Sequence, residues 1–160
     1  LEVGDAPWAT KDEVAHYVDL MPDGTHRQYT SIQEAKSVIT APSGGQKLLK
    51  QGYHDITGLA WSGRGTVEKV EVSVDGGRNW RGARLEGPIL PKALTRFHCD
   101  WVWQGEEALL QARVTDSTGY IQPSRAQLVE IRGTRSIYHN NAIQTWRVGV
   151  DGEVHNVQLG

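Results

Sequence analysis

Residues 67–82, Val-Glu-Lys-Val-Glu-Val-Ser-Val-Asp-Gly-Gly-Arg-Asn-Trp-Arg-Gly, constrain the fold more than any other stretch. Val70, Val72 and Val74 alternate with Lys69, Glu71 and Ser73, the period of a strand with one buried face. Asp75-Gly76-Gly77 follows, residues that tolerate the positive φ of a tight reversal between strands. Trp80 is expected to anchor the core behind it.

The same signals recur at the spacing of a β-sandwich. Strands are expected at 37–40, 55–62, 67–74, 80–85, 96–103, 107–115 and 127–132, with a closing hairpin around Asp151-Gly152 between 143 and 159. In the fifth, Phe97, Cys99, Trp101 and Trp103 share one face; in the sixth, Ala108, Leu110, Ala112 and Val114 do. Six tryptophans and eighteen glycines also favour strands and turns over helices. The expected fold is all-β, an immunoglobulin-like (E-set type) sandwich of about seven strands over residues 36–160. Residues 1–35 read as an extended lead-in, polar and without sustained period. A short helix is expected there over 11–20, with Val14, Tyr17 and Val18 on one face and Thr10 as its cap. The chain opens on Leu1 without a basic-then-apolar leader and is expected to be a piece of a longer protein.

Chemistry-bearing patterns are sparse. Seventeen basic and 19 acidic side chains give a net charge of −2, with no footprint for nucleic acid. No run approaches the roughly 18 apolar residues of a membrane-spanning helix. His16, His26, His54, His98, His139 and His155 lack the short spacings of a local metal site. Ser43 and Ser62 sit outside any G-x-S-x-G, and Gly63-x-Gly65 is a turn rather than a dinucleotide loop. The lone cysteine, Cys99, is expected to be an inert core thiol. Trp61, Trp80, Trp101 and Trp103 are expected in the core rather than as a stacking platform for sugars. The nearest thing to a functional signal is a group of exposed cations, Arg132, Arg135, Arg147 and His139. A guanidinium fork matches an oxyanion, although a solvated loop with weak surface ion pairs fits the spacing as well.

Five segments in order extend the reading. Ser37-Val38-Ile39-Thr40-Ala41-Pro42, Gly58-Leu59-Ala60-Trp61-Ser62-Gly63, Val72-Ser73-Val74-Asp75-Gly76-Gly77 with Trp80, Ala112-Arg113-Val114-Thr115-Asp116 with Gln122-Pro123, and Asn141-Ala142 with Trp146-Arg147-Val148 resemble the C-terminal dimerisation domain of the sulfite oxidase family of molybdenum enzymes. Residues 7–13, 17–24 and 138–144 resemble its branch of sulfane dehydrogenase molybdenum subunits in bacterial sulfur oxidation. The resemblance implies a homodimer through the sandwich and a periplasmic location. It implies that residues 1–35 trail from a preceding molybdenum-cofactor domain, and that a c-type cytochrome subunit is a partner. Molybdopterin-molybdenum would belong to that preceding domain, so this chain alone would carry no cofactor, metal or catalytic residue. In the family an arginine near the end of this domain reaches toward an anionic substrate. Here that implies Arg135 first and Arg132 second, with His139 beside them, on a segment (132–142) expected to be loosely held without the preceding domain. The alternative is a free-standing immunoglobulin-like module binding carbohydrate or a protein.

Overall fold

The computed structural model describes residues 3–5, 8, 10–12, 18–21, 23–28, 32–134 and 139–159. Strands β1 (Val18–Leu20) and β2 (His26–Gln28) form a small antiparallel hairpin in the lead-in. Its turn is closed by Asp23, whose carboxylate accepts from the Thr25 amide and hydroxyl at 2.9 and 2.7 Å. Thus Val18–Leu20 is strand and not the end of a helix. Residues 13–17, the middle of that expected helix, lie outside the described residues.

The sandwich follows. One sheet carries β3 (Lys36–Ala41), β4 (Gly52–Trp61), β8 (Thr95–Trp103) and β7 (Arg84–Leu85), in that spatial order. The other carries β11 (Val154–Val157), β10 (Thr145–Val148), β9 (Ala108–Asp116), β5 (Val67–Ser73) and β6 (Arg81–Gly82). All strand pairs within these sheets are antiparallel. The core lies between the sheets, where Phe97, Cys99, Trp101 and Trp103 of β8 meet Ala108, Leu110, Ala112 and Val114 of β9. Ile56 and Ala60 of β4 and Val70 and Val72 of β5 complete it. A register shift between Val67 and Lys69 lets both Val67 and Val70 point inward, since a bulge changes the phase of the alternation.

Two sequence expectations fail locally. Residues 80–85 are not one strand: β6 pairs with β5 and β7 with β8, so the chain crosses between sheets at Ala83, whose amide bonds Val70 O at 2.8 Å. Residues 127–132 are not a strand either but belong to helix α1 (Arg125–Arg132). Ser124 caps it, its hydroxyl accepting from the Gln127 amide while the Gln127 side chain accepts from the Ser124 amide. This reciprocal cap satisfies two orphan donors and outweighs the strand preference of Val129 and Ile131. The helical period also brings Leu128 and Arg132 onto one buried side.

Candidate functional site

Several side chains of the five sequence segments are staples between or within the sheets. Gln122, 2% exposed, accepts from the Ser37 amide (2.9 Å), the Ser37 hydroxyl (2.7 Å) and the Val114 amide (3.3 Å). It thereby ties β3 of one sheet to β9 of the other. At the same end, the Ser62 hydroxyl donates to Asp116 at 2.6 Å. Burial alone would raise the Asp116 carboxyl, but Ser62, Thr118 and the Thr118 and Tyr120 amides hold it below the usual range. In the Asp75-Gly76-Gly77 turn, φ is 75° at Gly76 and 89° at Gly77. Asp75 accepts from the Asn79 amide and side chain and from Ser73, which pulls its carboxyl far below the ordinary value.

The region implied to face substrate is organised differently from the exposed cation cluster that the sequence suggests. Arg132 is 2% exposed. Its guanidinium donates to Asp19 Oδ2 at 3.1 Å and to Glu34 Oε2 at 3.4 Å, so it bolts the lead-in hairpin and the start of β3 to the end of α1. Glu34 Oε2 also accepts from the Tyr120 hydroxyl at 3.0 Å and from His139 Nε2 at 3.2 Å. Burial alone would raise Glu34, but the Tyr120 bond, the Arg132 charge and His139 together leave it below its ordinary value. His139 is pushed down by burial and by Arg132, which outweigh the pull of Glu34. The imidazole is therefore neutral at neutral pH and donates from Nε2. Asn141 completes the cluster, donating to Ala35 O at 3.2 Å and to the Tyr120 hydroxyl at 3.0 Å. The described ends of 132–142 are thus held, against the expectation of a loose segment. Arg135 lies outside the described residues. Arg147 pairs separately with Glu107 at 2.9 Å. Asp19, Glu34 and Tyr120 are cluster members that spacing does not reveal, because they come from three distant parts of the chain.

A groove of about 840 Å3 runs between α1 and the outer face of the five-stranded sheet. Its floor is polar: Gln111 donates to Thr145 Oγ1 at 2.8 Å, and Arg113 bonds Glu71 at 2.9 Å. Trp80 forms one wall. It is half-buried rather than a core anchor, with the Arg113 guanidinium 4.3 Å from its ring centroid and its Nε1 donating to Gly77 O. Trp101 and Trp103 are buried, so the tryptophans do not share an open stacking face.

Cys99 does not fit a molybdenum ligand. It is 5% exposed among core residues, and burial pushes its thiol up, away from the thiolate a metal requires. Among the described residues no group of three or more His, Cys, Asp or Glu could hold a metal ion. No helix among them is long and apolar enough to cross a membrane.

Cross-sheet staples, a two-sheet core and a helix-closed C-terminal region together define an immunoglobulin-like assembly domain, and the chain belongs to the Mo-co oxidoreductase dimerisation domain family, matched over residues 27–146. The crystal structure of the sulfane dehydrogenase SoxCD from Paracoccus pantotrophus superimposes with a TM-score of 0.91 at 53% identity, over 94% of this chain and 39% of that one. Chicken (Gallus gallus) sulfite oxidase is 35% identical over 120 residues, 69% of this chain and 26% of the enzyme. Mouse (Mus musculus) mitochondrial sulfite oxidase is 50% identical over 119 residues, 66% of this chain and 21% of the enzyme. The chain therefore spans well under half the length of these relatives.

Proposed function

We propose that this domain joins two copies of a periplasmic molybdenum oxidoreductase of the sulfite and sulfane dehydrogenase kind, which takes a sulfur oxyanion as substrate and passes electrons to a c-type cytochrome subunit. The observation that carries the reading is the dimerisation-domain match over residues 27–146; the likeness to a sulfane dehydrogenase supports the substrate class. The lead-in ahead of the matched residues is the trailing segment of a preceding molybdenum-cofactor domain, and that domain supplies the redox chemistry.

Within this reading the closing segment contributes to the substrate's surroundings. Arg132 is held by Asp19 and Glu34, so it acts as a positioning residue for the segment that follows it. Arg135, three residues on in the sequence, is the arginine assigned to draw in the anion. A guanidinium fixed at a pocket mouth concentrates anions and holds an oxyanion through two parallel bonds. In the full-length enzyme, Arg135→Ala is expected to raise KM for the sulfur oxyanion about tenfold or more at low salt, with a smaller effect at high salt, where steering is screened. Unchanged KM at low salt overturns the assignment.

A further inference from the structure

A second groove, of about 420 Å3, lies where the start of β3, the first residue of α1 and the strands β10 and β11 come together. Lys36, Arg125, Asn140, Thr145 and Gln158 are among its lining residues, and no Asp or Glu lines it. Two positive charges therefore share one recess. Neither Lys36 nor Arg125 has a carboxylate within ion-pair distance among the described residues. Lys36 uses one of its three N–H groups on Asn140 O at 2.6 Å, and the Arg125 guanidinium donates to the Gln158 side-chain oxygen. Both acceptors are neutral, so both charges stay uncompensated. Burial pushes the Lys36 ammonium below its ordinary value, as expected of a charge desolvated without an opposite charge to offset it.

The neutral side chains around them are set the same way. Asn140 Oδ1 accepts from the Ala142 amide at 3.2 Å, Thr145 Oγ1 accepts from Gln111 Nε2 at 2.8 Å, and the Gln158 oxygen accepts from Arg125. Their oxygens are thus engaged inside the chain, which leaves the Asn140 and Gln158 amino groups and the Thr145 hydroxyl proton to donate. A cation in this recess would meet two like charges, and a neutral ligand would leave both of them unpaired. A small oxyanion carrying two charges matches the pair and accepts from the donors around it.

We propose that this groove is a binding site for a small doubly charged oxyanion of the sulfate or phosphate kind, held between Lys36 and Arg125. Such a site uses neither Arg135 nor the Arg132 cluster, so it does not depend on the function proposed above. Its test is equilibrium dialysis of this chain against labelled sulfate and, in a second arm, labelled phosphate, with ionic strength held constant by chloride. A single saturable site with a Kd of about 1 mM or tighter is expected in at least one arm, and the tighter arm identifies the anion. Lys36→Gln and Arg125→Gln are each expected to raise that Kd at least about tenfold. Lys36→Arg keeps the charge and is expected to stay within about threefold of the wild type. Lys69→Gln, which removes a lysine paired with Glu71 on β5, is expected to leave the Kd unchanged. In the unmodified chain, saturable shifts of the Asn140 and Gln158 side-chain amide signals in NMR titration give a second readout that needs no variant to fold. No saturable binding in either arm overturns the site, and so do shifts confined to other amides. Binding that survives both glutamine substitutions is an adventitious ion only and overturns it as well.

Discussion

Arg132→Met keeps most of the side chain's apolar stem and removes only its charge. Its guanidinium lies 3.1 Å from Asp19 and 3.4 Å from Glu34, and both Arg132 and Asp19 are 2% exposed as side chains. In the variant, a further arginine among the described residues, Arg64, lies 3.8 Å from Glu34 and is about half in solvent. Removing one partner of a buried ion pair costs about 3–5 kcal/mol, mostly the penalty of leaving the other charge buried. For a chain of this length that lowers Tm by roughly 6–20 °C. The measurement is urea unfolding followed by tryptophan fluorescence, with the slope unchanged if the transition stays two-state. Because the penalty belongs to the stranded carboxylates, Asp19→Asn and Glu34→Gln added to Arg132→Met should recover at least half of the loss. A loss below about 1 kcal/mol, the scale of an exposed ion pair, would refute the burial argument, and so would a triple variant no better than the single one.

The same cluster sets a pH dependence. His139 is held below its ordinary 6.5, so as pH falls through that value the unfolded chain takes up a proton that the folded chain refuses, and stability drops until the lower folded value is passed. Glu34, held below its ordinary 4.5, contributes stability that is present above that value and lost as pH falls through its folded pKa. A urea midpoint falling between pH 7.5 and 5.5, and flattened over that window by His139→Gln, is expected; a midpoint flat in the unmodified chain contradicts it. Cys99 should resist thiol reagents in the folded chain, and Cys99→Ser should cost about 1–3 kcal/mol by burying a hydroxyl without a good partner; rapid labelling under native conditions would count against this. Trp80→Ala should cost about 1–2 kcal/mol, the scale of a half-buried ring and its cation–π contact, against about 3–5 kcal/mol for Trp101→Ala in the core; equal losses would return Trp80 to the core. Gln122→Leu strands the Ser37 and Val114 amides and should cost about 2–3 kcal/mol in the same assay, with no measurable loss as the contrary result.

The period-2 alternation of β8 and β9 placed Phe97, Cys99, Trp101, Leu110 and Val114 correctly, because a sheet with one buried face writes its burial directly into the sequence. Helix α1 escaped that logic. Gln127-Leu128-Val129-Glu130-Ile131-Arg132 fits either period, and the Ser124-x-x-Gln127 cap, which decides the matter, lies at its edge. Trp80 looked like an anchor because it follows a turn and is large, but its ring stays on the outer face against Arg113. Arg132 is the instructive case. A lone arginine is read as exposed because burying a charge needs a partner, and here its partners lie 113 and 98 positions away in the chain. Distant pairing of that kind leaves no local periodic trace. The ordered motifs did carry it indirectly, since Asp19 and Asn141 both sit within segments that resemble the family.

Association is the property the account stands on, and the mass of the chain in solution measures it most directly. Sedimentation equilibrium over a wide concentration range should give a species of twice the 17.7 kDa chain mass that dissociates only on dilution. A single 17.7 kDa species persisting at the highest soluble concentration contradicts the account.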